Sequence, residues 1–214
     1  MNRFSHLARL SATLALATSL SACITLFPTT KSAQLYRFQA KATESTASAP
    51  ASAGPKVNFI RAGGSFTAAA SGDRILTVSG PEAAYIAHAR WMEPAEILFN
   101  QALRNSFSQN RGPARLLSPG EPGRPDLSLR LDISRFDVDY DHGARQPPTV
   151  CIDLHGVITR LSGGQIVRDK SLTIRVRARS NQVSAIIVAF QAAVETGLSQ
   201  VMDLANDAAT APNT

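Results

Sequence analysis

The sequence predicts an α+β fold: a single domain in which a largely antiparallel β-sheet carries two main helices. Three patterns lead there. Residues 126–140, "DLSLRLDISRFDVDY", alternate apolar and polar side chains as a half-buried strand does. Residues 150–161 and 165–178 alternate in the same way on either side of Gly163-Gly164, a hairpin pattern. Two further stretches, one from Pro94 and one from Asn181, repeat apolar residues every three or four positions, the spacing of helices that lie on a sheet.

In chain order, "LYRFQA" at 35–40 sets Tyr36, Phe38 and Ala40 against Leu35, Arg37 and Gln39 and reads as the first strand. Residues 41–56, "KATESTASAPASAGPK", cannot bury an apolar face and read as a flexible insertion. Short strands follow at 57–60, 74–78 and 84–90, separated by turn signals at Gly63-Gly64, Gly72-Asp73 and Gly80-Pro81. Pro94 suits the first turn of a helix. On that helix Ala95, Leu98, Phe99, Ala102, Leu103, Ser106 and Phe107 share one face, Ile97 falls off it, and Arg111-Gly112-Pro113 ends it. Within 126–140 the apolar parity switches from Leu127, Leu129, Leu131 and Ile133 to Phe136, Val138 and Tyr140, which predicts a bulge near Ser134-Arg135.

For the hairpin, pairing Ile152 with Val176 and Leu154 with Ile174 keeps apolar side chains on one face. That register implies a three-residue loop at 163–165 and sets Asp153 opposite Arg175, an exposed ion pair worth about 0 to 1 kcal/mol. The last helix spans 181 to about 205, with a stripe of Val183, Ile186/Ile187, Phe190, Val194, Gly197/Leu198, Val201 and Leu204/Ala205, and Val188 outside it. The domain is expected to cover 35–207, with 208–214 a disordered tail.

The chain begins with Arg3 and Arg9 and no acid before an apolar run at 10–20. As a helix this run is about 16 Å long, half of a ~30 Å hydrocarbon core, so residues 1–22 read as a signal peptide and not as a span. Leu20-Ser21-Ala22-Cys23 resembles the bacterial lipobox, which makes Cys23 the lipid attachment site and the first residue of the mature chain. The resemblance implies three fatty chains on Cys23, palmitate among them, where two already anchor stably. Residues 23–34 then form a lipidated tether, of which 25–34 reach at most about 35 Å. The net charge of +6 falls to +4 once Arg3 and Arg9 leave with the signal. That mild excess, without a dense basic cluster interleaved with aromatics, argues against nucleic-acid binding. Cys151 is the only other cysteine, so lipidation of Cys23 leaves no internal disulfide.

Several stretches imitate chemistry. "CIDLH" aligns Cys151, Asp153 and His155 on one strand face, but side chains two residues apart stand about 6.6 Å from each other and the order puts the acid between thiol and imidazole. A solvent-side face is the expectation, with no catalytic site, cofactor or metal. "DVDYDHG" opens like a calcium loop at Asp137, Asp139 and Asp141, then fails at His142 and Pro148. Nothing in the sequence around His88 or His142 marks either as a credible acid or base. Arg175, Arg177 and Arg179 form either a charged outer sheet face or a stripe for acidic partners or lipid phosphates. Ile97 and Val188 are either isolated exposed residues or a second apolar surface. Phosphate-loop and nucleophile-elbow patterns are absent.

From the lipobox onward the order of elements resembles the ABC-type transport auxiliary lipoprotein family, whose best-known branch is the paraquat-inducible lipoprotein. The residues that carry the resemblance are "LSAC", "LYRF", "GDRILTVSGPEAAYIAHARWMEPAEILFNQALRNSF", "LRLDISRFDVDY" and the last helix. Asp73-Arg74, Tyr85 and the Trp91/Pro94 step stand at that family's characteristic places, with Trp91 either core or a partner anchor. The resemblance implies a non-catalytic, cofactor-free accessory of an ABC permease and ATPase that work with a protein bearing mammalian-cell-entry (MCE) domains to move lipids between membranes. The partners it implies are the membrane through acylated Cys23, that complex and further copies of the chain, a homo-oligomer. Ile24, where a retention signal would have aspartate, implies the periplasmic face of the outer membrane, with the inner membrane as the alternative. A rival reading is a lipoprotein that assists assembly of an outer-membrane protein.

Overall fold

The computed structural model describes residues 32–39 and 55–212; the signal peptide, Cys23 and residues 41–54 of the expected insertion lie outside them. Eight strands form one sheet: β1 Gln34–Tyr36, β2 Val57–Arg61, β3 Arg74–Ser79, β4 Glu82–Trp91, β5 Ala114–Leu116, β6 Leu127–Asp139, β7 Thr149–Arg160 and β8 Ile166–Arg177. Helix α1 is the single turn Ala68–Ser71, α2 is Ala95–Gln109 and α3 is Val183–Ala209.

The alternating run recognised at 126–140 is the spine. Along one edge β6 pairs antiparallel with β7 from Leu127↔Arg160 to Asp139↔Thr149. Along the other edge β2 runs parallel to its first half and β3 parallel to its end, through Phe59↔Leu127 and Thr77↔Val138. The longest ladders, β6–β7, β7–β8 and β3–β4, are antiparallel; the short pairings of β1 with β4 and β2 with β5 are parallel. Between β2 and β3 the chain stays on the spine through Ala62 N–H to Leu129 O at 3.0 Å and Thr67 N–H to Ile133 O at 2.8 Å. Gly64 is required in that crossing: with φ at +116°, a Cβ there would stand 2.0 Å from Leu131 O.

The expected bulge is present, since the β6–β7 register shifts between Ile133 and Arg135. One extra residue there explains why both Ile133 and Phe136 point inward and are buried. The hairpin register differs from the expected one by two residues. Ile152 faces Ile174, Leu154 faces Leu172 and Val150 faces Val176. The loop has four residues, 161–164, closed by Arg160 N–H to Gln165 O at 2.8 Å, and a second register shift falls between Ile158 and Thr159. A two-residue slip leaves every side chain on its face, so apolar alternation cannot detect it. The first strand is also shorter than expected, although Phe38 beyond it is buried.

Both long helices lie on the sheet by their apolar stripes. In α2 the buried residues are Ala95, Leu98, Phe99, Ala102, Leu103 and Phe107. Although α3 is long and apolar enough to cross a membrane, half of its most apolar window is buried within the domain. It also runs past the expected end at 205: Ala208 is buried, and Arg168 donates to Asp207 O at 3.2 Å, so the helix continues through Ala209. Asn206, expected at the start of fraying, instead locks the far ends of the helices together. Its side-chain oxygen accepts from Asn110 Nδ2 at 2.9 Å and from Ala114 N–H at 3.2 Å.

Four rings close the opposite end of the core. Trp91 meets Phe38 and Phe190 edge-on, each with centroids 5.1 Å apart, and Phe136 lies 5.6 Å from Phe38 and 5.2 Å from Phe190. Trp91 is therefore a core residue and not a partner anchor. Truncating Trp91 or Phe190 to alanine is expected to cost roughly 3–5 kcal/mol, read as a lower urea midpoint with an unchanged slope.

Candidate functional site

The imitation of a catalytic trio dissolves into separate pairs. Cys151, Asp153 and His155 do share one face of β7, but each is committed elsewhere. Cys151 lies between Asp137 on β6 and Arg175 on β8, and those flanking side chains shield it, so it is buried where a solvent-side position was expected. Burial pushes its thiol up to about 11, the wrong direction for a nucleophile. Asp153 accepts two bonds from Arg175, at 2.7 and 3.0 Å, so the expected ion pair forms diagonally although Thr173 is the directly opposite residue. His155 Nε2 sits 2.6 Å from Asp169 Oδ1.

The aspartates of the false calcium loop are likewise matched by arginines. Arg135 binds Asp137 at 2.9 Å and also holds Asp139. Arg177 binds Asp141 at 2.9 Å and Pro147 O at 2.7 Å. Among the described residues no group of three His, Cys, Asp or Glu side chains could hold a metal. Of the "RVRAR" stripe, Arg175 and Arg177 are thus engaged in a charge-matched outer face and Arg179 is exposed.

A different arginine stands in a cavity. Between α2, the end of β2 and the 116–125 segment lies a groove of about 670 Å³, lined by Ile60, Leu103, Leu116 and Leu117 together with Arg61, Glu96 and Arg104. Arg61 donates long bonds to Leu129 O and Leu131 O, both 3.4 Å, and has no carboxylate within ion-pair distance among the described residues. Desolvation lowers its pKa against the opposing attraction of Asp132 and Glu96, so an anion entering the groove would add to the compensation these two carboxylates supply. Arg104, exposed on α2, also lacks a paired carboxylate there, whereas Glu121 on the opposite wall is bound to Arg115. Aliphatic walls and two guanidiniums outside any ion pair can hold a carboxylate or phosphate carried on an apolar segment, although Glu96 in the same lining, with Asp132, already offsets part of the Arg61 charge. Sequence reasoning ended the second strand at Ile60 and passed over Arg61. The signal was Gly63-Gly64 just beyond it, facing the Pro/Gly-rich "LLSPGEPGRP".

A family model described as the ABC-type transport auxiliary lipoprotein component matches residues 65–202. Among solved structures, a Xanthomonas campestris protein of family DUF330 superposes with a TM-score of 0.66 at 20% identity, over 82% of this chain and 96% of that one. A second, described only as an uncharacterised protein, gives 0.59 at 8% identity over 81% and 98%. At these identities the likeness is one of fold. Comparison with curated proteins gives no match.

The outer face yields a test with opposite signs at two aspartates. The hydrogen bonds from Arg175 hold Asp153 below the usual carboxylate range, so its contribution is present at neutral pH and is lost as pH falls through that lowered value. Burial pushes Asp137 the other way despite Arg135, so its charge opposes folding at neutral pH and protonation on acidification relieves the cost. Asp153→Asn is expected to lower stability at pH 7 by about 0 to 1 kcal/mol, whereas Asp137→Asn should leave it unchanged or raise it, both measured by denaturant titration.

Proposed function

We propose a role that starts from membership: this chain belongs to the ABC-type transport auxiliary lipoprotein family, and it works as a non-catalytic, membrane-anchored subunit of an envelope transport system. The family match over residues 65–202 carries this reading. The lipobox at 20–23 supports it by making Cys23 the acylated first residue of the mature chain. Ile24 in place of aspartate favours the periplasmic face of the outer membrane. The finer assignment is an accessory to an ABC permease and ATPase acting with an MCE-domain protein in lipid transfer between the two membranes.

A subunit of this kind acts through surfaces. The groove beside α2 is the partner site in this reading: Arg61 and Arg104 offer charge, and the leucines offer apolar area, to an acidic segment of the partner. The chain then holds the transport conduit against the membrane to which Cys23 is bonded.

Crosslinking in cells followed by purification from membranes tests this directly. The MCE-domain protein, permease and ATPase are the expected captures, and Arg104→Glu, an exposed change, should reduce their yield. Recovery of an outer-membrane barrel protein in their place would favour assembly as the function. Cys23→Ala is expected to move the protein from the membrane to the soluble fraction.

A further inference from the structure

Backbone hydrogen bonds along β2 alternate between its two neighbours, and the last step of that alternation meets nothing. Even-numbered residues bond toward β6: Asn58 O accepts from Asp126 N–H at 2.9 Å, and Ala62 N–H donates to Leu129 O at 3.0 Å. Odd-numbered residues bond toward β5: Val57 N–H donates to Pro113 O at 2.9 Å, and Phe59 O accepts from Leu117 N–H at 2.8 Å. Arg61 is next in the odd series. Its N–H and C=O turn to the same side, but β5 ends at Leu116 and no described residue bonds to either group. That side is the groove, which Ile60, Arg61, Gly63 and Gly64 line together with α2 and the 116–125 segment. A Cβ at Gly63 or Gly120 would meet nothing within 4 Å, so the space beside both is open.

A donor and an acceptor side by side on a strand edge are what an added strand pairs with. A helix has already bonded its own amides, and a carboxylate or phosphate accepts from the N–H but gives nothing to the C=O. The complement is therefore extended peptide backbone. The side chains of the groove then set its composition. Arg61 shares the parity of buried Phe59, which packs against Phe107 of α2, and so belongs to the helix side of the sheet with Glu96 and Arg104. Asp132 and Glu96 already offset Arg61, and Glu121 is bound to Arg115. Arg104 is exposed and in no ion pair among the described residues. One carboxylate fits opposite Arg104, flanked by apolar side chains that meet Ile60, Leu103 and Leu117.

We propose that the groove holds an extended segment of the partner by β-strand addition, its backbone pairing with Arg61 N–H and C=O and a carboxylate meeting Arg104. The inference rests on the reading of this groove as the partner site and adds how the segment is held. Random dodecapeptides displayed on phage are panned against the chain from residue 23 onward, carrying Cys23→Ser. Selected peptides are expected to alternate apolar and acidic residues and to slow exchange of the Arg61 amide by about tenfold, followed by NMR. Methylating the amide nitrogens of a selected peptide one at a time should weaken binding about tenfold at alternate positions and leave the positions between them unchanged. Arg61→Pro, which removes the outward N–H and keeps the bonds to β6, should weaken binding beyond Arg61→Ala. The methylation series needs no variant of the chain and stands even if Arg61→Pro fails to fold. Binding that ignores methylation or is lost at successive positions overturns the proposal, as does a library that yields no binder to the groove. Protection of the Arg61 amide in the chain alone also overturns it, because a segment of this chain or a second copy then occupies the edge. The partner-site reading fails separately, if Arg104→Glu leaves the crosslinking yield in cells unaltered while peptides still pair with Arg61.

Discussion

The rings of Phe38, Trp91, Phe136 and Phe190 come from the segment after β1, the end of β4, the middle of β6 and the long helix α3. They are the point at which the chain arriving from the N-terminal side is fastened to the rest. A three-residue parallel strand has little pairing of its own, and Phe38 adds the burial that β1 lacks. The edge-to-face contacts of Trp91 also set how far apart β4 and α3 stand, because close-packed rings leave no slack. The placement of α3 against β4 and the seating of the 35–39 segment both depend on that packing.

The two faces of the sheet follow different physics. Inside, burial of aliphatic and aromatic surface supplies the driving force, and α3 can seat closely over β7 because Gly156 leaves room: a Cβ there would stand 3.2 Å from Leu204. Outside, Arg135, Arg175 and Arg177 answer the aspartates of β6, β7 and the following turn, which leaves little free charge on that surface. Arg61 and Arg104, in the α2 groove, are in no ion pair among the described residues. The domain thus combines a charge-matched sheet face with a groove that carries Arg61 and Arg104.

Alternation and helical periodicity made the β6 spine, its bulge, both long helices and their buried faces legible in the sequence. The switch from Ile133 to Phe136 had one geometric solution. The hairpin register did not, since a slip of two residues preserves every face and the deciding loop length was open. The short parallel strand β5 and the single turn α1 carry too few residues for a period to emerge. Cys151 was read by strand parity alone, which locates a face and not the long side chains that shield it. Arg61 gained its importance from walls contributed by residues 96–104 and 116–125, which are close to it only after folding. The end of α3 was misjudged because nothing local reveals that Asn110 holds Asn206.

The spine's position in the chain has a kinetic consequence. A ribosome delivers residues 59–61 and 77–78 long before residues 127–139, to which they are paired. Until then only the β3–β4 hairpin can form from neighbouring sequence, and every other early strand waits for a distant complement. The nascent polypeptide therefore stays uncommitted through most of its synthesis, a condition compatible with threading through a narrow translocation pore. The same delay exposes its greasy segments and makes them clients for holding chaperones.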